Sequence, residues 1–146
     1  MSHVAKIEIE IRDLAALKAA AARIGGQFLE GQTTYRWFGR HVGDYPLPTG
    51  FEVSDLGKCE HAISVPGASY EVGVVKRRDG KPGYTLIWDF WQSGGLQRAL
   101  GKNGDKLIQA YGVEASKRAA RRAGYSVTES TKADGSVVLT VQTGAR

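Results

Sequence analysis

The stretch "YEVGVVKRRDGKPGYTLIWDFW", Tyr70 to Trp91, constrains the fold more than any other part of the chain. Tyr70, Val72 and Val74 alternate with Glu71, Gly73 and Val75. Tyr84, Leu86 and Trp88 answer them across the turn dipeptides Asp79-Gly80 and Pro82-Gly83. A period of two sends successive side chains to opposite faces of a strand, so the spacing predicts an antiparallel hairpin. Its tip carries Lys76, Arg77, Arg78 and Lys81. An isolated hairpin is marginal in water, and the apolar rows demand further strands and a helical cover.

The remaining segments supply both. In "AKIEIEIRD", Ile7, Ile9 and Ile11 alternate with Lys6, Glu8 and Glu10, a strand with one face in water. Asp13 can cap a helix whose Leu14, Leu17, Ala21 and Ile24 fall at helical spacing before Gly25-Gly26 provides a left-handed exit. "QFLEGQTTYRWFG" reads as a hairpin around Glu30-Gly31, with Thr33, Tyr35 and Trp37 on one face and Thr34, Arg36 and Phe38 on the other. From Gly39 to Lys58 no period survives, which predicts a long loop or insertion over residues 40–58.

Order returns at "HAISVPG" and the central hairpin. Ser93 or Gly94 then starts a short helix through Leu100, Asp105 caps a second that runs toward Tyr111, and Glu114 to Ala123 forms a third piece stopped by Gly124. A last hairpin turns at Asp134-Gly135 with Val137, Leu139 and Val141 as its inward row. The order β-α-β-β-β-β-α-α-β-β implies an α+β fold. Its mainly antiparallel sheet has the helices of residues 14–24 and 93–123 packed on one face. At 146 residues the expectation is a single α+β domain, 1–146, that buries roughly two thirds of its unfolded surface.

Charge is distributed unevenly. The chain carries +5 overall, yet Lys76 to Arg122 holds eleven Lys or Arg against four acids, a net of +7, while the remainder is −2. Such a layout suggests an anionic partner. A single cysteine, Cys59, forms no internal bridge, and no window approaches eighteen apolar residues. The expectation is a cytoplasmic protein with no membrane partner.

The "MSH" start leading to "DLAALKAA", the "YEVGVVKRRDG…GYTLIWDFW" hairpin, "KLIQAYGVEASKRAARRAGYSV" and the closing "DGSVVLTV" together resemble a family. It is the plastid and cyanobacterial reading frame known as ycf thirty-five, with its bacterial and phage relatives, a domain of unknown function. The resemblance spans most of the chain apart from about Arg40 to Lys58. It implies a compact α+β domain and brings no catalytic motif with it.

Catalytic chemistry finds little support in the residues. Cys59 and His61 would share one face of a strand, but a zinc site needs four ligands, or three and an open position. His41 is the only other imidazole nearby in sequence, and no second ligand pair follows. No metal and no cofactor are expected. "GGLQRALGKNGDK" fails as a phosphate loop, since five residues rather than four separate Gly95 from Gly101-Lys102 and Asn103 stands where a hydroxyl belongs. Asp89 shares a face with Thr85, Ile87 and Trp91, where a partly buried carboxylate would hold an arginine or a backbone amide. His61, Asp89 and Cys59 would be the first residues to test for an enzyme, but no catalytic residue is assigned.

The leading expectation is a non-enzymatic binding module for an anionic partner: nucleic acid, a nucleotide-like ligand or an acidic protein face. The candidate residues are Lys76, Arg77, Arg78, Lys81, Arg118, Arg121 and Arg122. Lys117 with Arg121 and Arg118 with Arg122 are like-charge i, i+4 pairs that require compensation. Tip and helix cations reinforce one another only on one face, within about a Debye length of 8–10 Å. Alone, the tip reads as a solubilising feature. The alternative is a protein-protein adaptor that uses the 39–58 loop, with Tyr45, Leu47 and Phe51 as contacts.

Overall fold

A computed structural model describes residues 2–143. Met1 of the "MSH" start and Gly144 of the closing stretch lie outside the described residues. The elements run β1 (Val4–Ile11), α1 (Leu14–Arg23), β2 (Gln27–Leu29), β3 (His61–Ser64), β4 (Val72–Lys76), β5 (Tyr84–Asp89), α2 (Leu96–Leu100), α3 (Asp105–Arg122), β6 (Ser126–Thr131) and β7 (Val137–Gln142). Five strands form one sheet in the order β1-β5-β4-β3-β2 with every neighbouring pair antiparallel, and β6-β7 is a separate two-stranded ribbon. The α+β class agrees with the sequence.

The strand alternation sorts the core into two layers. Ile7, Ile11, Ile63, Val72, Val74, Leu86 and Trp88 face the helices, where they meet Leu17 and Ala20 of α1 and Leu107 and Tyr111 of α3. Val4, Ala62, Val75 and Ile87 face the other way. Asp13 caps α1 by accepting from the Ala16 amide at 3.0 Å, and the Tyr111 hydroxyl accepts from both the Arg12 and Asp13 amides. The long helix thus fixes the β1-α1 turn.

Three sequence expectations are corrected. Residues 105–111 and 114–123 are one helix, because burial of Leu107, Ala110, Tyr111 and Val113 outweighs the roughly 1 kcal/mol that Gly112 costs inside it. Asp105 is the first residue of that helix and Gly104 its cap. The short helix begins at Leu96, after a single 3₁₀ turn over Gln92–Gly94. The 27–38 hairpin does not form: Gln27–Leu29 pairs with β3, while Thr34 bridges Lys58. The Tyr35 amide donates to the Gly57 carbonyl and the Cys59 amide to the Thr33 carbonyl, so residues 33–35 close the neck of the long loop.

That loop folds back over the second face of the sheet. Tyr35, Phe51 and Leu56 are buried against Val75 and Ile87, with Trp37 and Leu47 beside them. Two buried carboxylates from the sheet hold it there. Asp89 accepts from the His3, Trp91 and Phe38 amides at 3.0–3.1 Å. Glu71 accepts from the Arg36 amide at 2.9 Å and the Gln32 side-chain amide at 3.0 Å. Asp89 is wholly buried, and its role is structural. Gly73 has a further reason to be glycine, since a Cβ there would overlap the Tyr35 ring.

The ribbon is attached differently. None of its twelve strand residues is fully buried, and Val137 and Leu139 of the expected inward row are half-buried while Val141 is exposed. Charge fastens it: Glu129 accepts from Arg23 at 2.6 and 2.7 Å and from Lys117 at 3.0 Å. Gln109 donates to the Gly135 carbonyl at 3.1 Å.

Asp89→Ala strands three amides, and chemical denaturation should show a loss of roughly 3 kcal/mol or more, with Asp89→Asn markedly milder. A different measurement addresses the ribbon. The Arg23 and Lys117 hydrogen bonds hold the Glu129 carboxyl down at about 2 from the ordinary 4.5. A carboxyl depressed in the folded chain stabilises it fully above the unfolded value and ceases to do so as pH falls through the folded one. Amide exchange in β6 and β7 should therefore accelerate as pH is lowered from roughly 5 to 2 beyond its intrinsic pH dependence, and Glu129→Gln should abolish that excess.

Candidate functional site

The charged side of β1, the loop at Thr49–Phe51 and the base of the β4-β5 tip enclose a groove of about 570 Å³ on the loop side of the sheet. The tip reaches β1 because Gly83 adopts φ +110°, and a Cβ there would overlap the Ile11 carbonyl. Phe51 forms an aromatic wall. The Arg78 guanidinium lies 4.5 Å from its ring centroid and the Lys6 ammonium 5.9 Å, so two cations flank one ring. Arg78 makes only a 3.4 Å contact with Asp55.

Arg77 is placed more firmly. Its side chain is 13% exposed and donates to Asp79, which holds that carboxyl down at about 2. Its Nη1 stands 3.1 Å from Glu10 Oε2 yet off the hydrogen-bonding direction, and is a buried donor with no hydrogen-bond partner among the described residues. We take the distance as a Coulombic contact that leaves the donor free. Lys76 and Lys81 are exposed and have no acidic partner among the described residues.

The helix cations lie elsewhere. Arg118 pairs with Glu114 at 3.1 Å, Arg122 with Asp13 at 3.3 Å, and Lys117 with Glu129 at 3.0 Å; Arg121 is exposed without an acidic partner among the described residues. These carboxylates are what offsets the like-charge i, i+4 pairs. α3 packs on the helix side of the sheet and Arg78 on the loop side, while Lys76 pairs with Tyr84 and shares the helix-facing side of β4.

The loop's contact candidates are largely used internally. Phe51 is buried, Leu47 is half-buried, and Tyr45, though 37% exposed, packs on Phe90 at 5.0 Å and His3 at 5.3 Å. Asp44 accepts or shares the His3 Nε2 bond at 2.9 Å. Trp88 is buried, and Tyr84, though it contributes to the groove lining, packs its ring on His61 against the helix-side core.

Cys59 and His61 do not share a face. β3 begins only at His61, and the 57–59 segment bends to pair with the loop neck, which turns Cys59 into the loop-side core. His61 packs instead on Phe28 and Tyr84 and accepts from the Gly31 amide. The described residues contain no cluster of three or more His, Cys, Asp or Glu placed to hold a metal ion. No described helix is long and apolar enough to cross a membrane.

Sequence reasoning missed Lys6 and the Phe51 wall. The outward row Lys6, Glu8 and Glu10 was readable as solvent-facing; that the loop would cross beside it was not. Comparison with family models, curated proteins and solved structures finds no match to the chain.

Burial, and then the Glu60 charge, push the Cys59 thiol up to about 12, and it donates to the Gln32 carbonyl. At pH near 8 a thiol so placed is protonated and inert. A disulfide reagent should label the native protein at a small fraction of the rate seen in denaturant; comparable rates would show the loop to be undocked.

Proposed function

We propose that the chain is a non-catalytic binding module whose loop-side groove and hairpin tip engage the phosphate backbone of a nucleic acid. The observation that carries this reading is the cation set at the groove mouth. Arg78 is stacked on Phe51 with a weakly held outer edge, Lys6 stands 5.9 Å from the same ring, and Lys81 at the tip is exposed with no acidic partner among the described residues. A guanidinium braced on a ring presents its N–H fork with little entropy left to lose, which suits a phosphate oxygen. The Phe51 ring beside it favours a strand whose bases are accessible. Arg118, Arg121 and Arg122 lie outside this reading. We likewise propose kinship with the ycf thirty-five family on the quoted segments alone, and nothing in the binding reading rests on it.

The test is a salt titration with a single-stranded oligonucleotide. Arg78→Glu with Lys81→Glu should weaken binding and lower the slope of log affinity against log salt by about 1.4, two phosphate contacts' worth. Arg121→Glu, on the other side of the sheet, should change the slope by much less. An unaltered slope in the tip variant defeats the proposal. Arg77 is unsuitable as the probe because its ion pairs anchor the tip to β1.

A further inference from the structure

Beneath the ribbon the structure is not close-packed. A cavity of about 460 Å³ lies between β6-β7 above and the ends of α1, β3 and α2 with the flank of α3 below. Its apolar walls are Ile24, Val65, Pro66, Leu100, Val113 and Val137, with Gln109 and Thr131 beside them, and no carboxylate among the described residues lines it. The charged side chains in the wall are Arg23 and Lys106, both cations. Arg23 is already committed to Glu114 and Glu129. Lys106 is exposed and has no acidic partner among the described residues.

We infer that this cavity is a binding site for a small amphipathic acid, an aliphatic chain ending in a carboxylate, with the chain under the ribbon and the carboxylate at Lys106. Three observations converge on that class. The volume falls in the range of ligand pockets. The apolar wall rejects a fully polar guest, and the one free cation among the lining residues selects an anionic head. The roof is the part of the fold most easily displaced, since it is held by Glu129 and the Gln109 contact rather than by buried side chains. This site lies on the opposite side of the sheet from the loop-side groove and does not depend on the function proposed for that groove.

Decanoate is the probe, titrated into the full chain by calorimetry while backbone amide shifts are followed. Saturable one-to-one binding is expected, with shifts concentrated in β6-β7, Val65 and the first half of α3. Lys106→Gln, an exposed change that leaves the fold intact, should weaken decanoate about ten-fold, the loss of one charge-assisted contact. Decanol should bind the native protein about as weakly as decanoate binds that variant. Val137→Asp, which sets a like charge at the roof, should suppress decanoate further. No saturable binding, shifts that map elsewhere, equal affinity for decanol and decanoate, or dimerisation without bound acid would each overturn the inference.

Discussion

Asp89 and Glu71 are the interaction on which the rest of the structure rests. A five-stranded sheet with apolar side chains on both faces needs two covers, and only one of them is helical. The other is a loop of irregular backbone, whose amides have no ladder to join and must still be satisfied once buried. Asp89 at the end of β5 and Glu71 just before β4 accept from the amides of Phe38 and Arg36. They therefore make an irregular segment behave as a layer of the core. The groove, the Phe51 wall and the stacking of Arg78 all exist because the loop is held down at that end.

Electrostatics in this protein are mostly internal. The excess charge between Lys76 and Arg122 invites a picture of a basic face, but Arg77, Lys117 and Arg122 each meet a carboxylate from a different element, and Arg118 meets Glu114 within α3. These pairs join β1 to the hairpin tip, α1 to α3, and the ribbon to both helices. Exposed pairs of this kind add little stability singly, yet they fix which surfaces meet. What remains for a partner is a small set of cations whose position is decided by their paired neighbours.

The sequence disclosed those elements whose signal is periodic. The isoleucine alternation of β1, the Asp13 cap and the β4-β5 hairpin were legible because each is encoded within a few residues. α3 was read as two pieces because Gly112 looks like a break when the burial of its neighbours is unseen. Thr33–Tyr35 looked like half of a local hairpin; its true partner, Gly57–Cys59, lies across the loop, and pairing at that separation leaves no mark in a short window. One clue to the second cover was present. Val74-Val75 and Leu86-Ile87-Trp88 are continuous apolar runs, which a sheet wet on one face does not need. The cation list was legible as a list, but that Arg77, Arg118 and Arg122 are spent on Glu10, Glu114 and Asp13 follows from contacts no short window shows.

The position of β1 carries a consequence for the time course of folding. Val4 lies opposite Asp89, so β1 pairs with a strand synthesised long after it, while β4 and β5 are joined by a short turn. Chains grow at about 5–20 residues per second. For several seconds β1 therefore waits without its partner, and its closure is a long-range event that follows the hairpin. Lys6, Glu8 and Glu10, interleaved with the isoleucines, keep the waiting strand from pairing with its own kind. The charges that later line the groove first serve as its guard during synthesis.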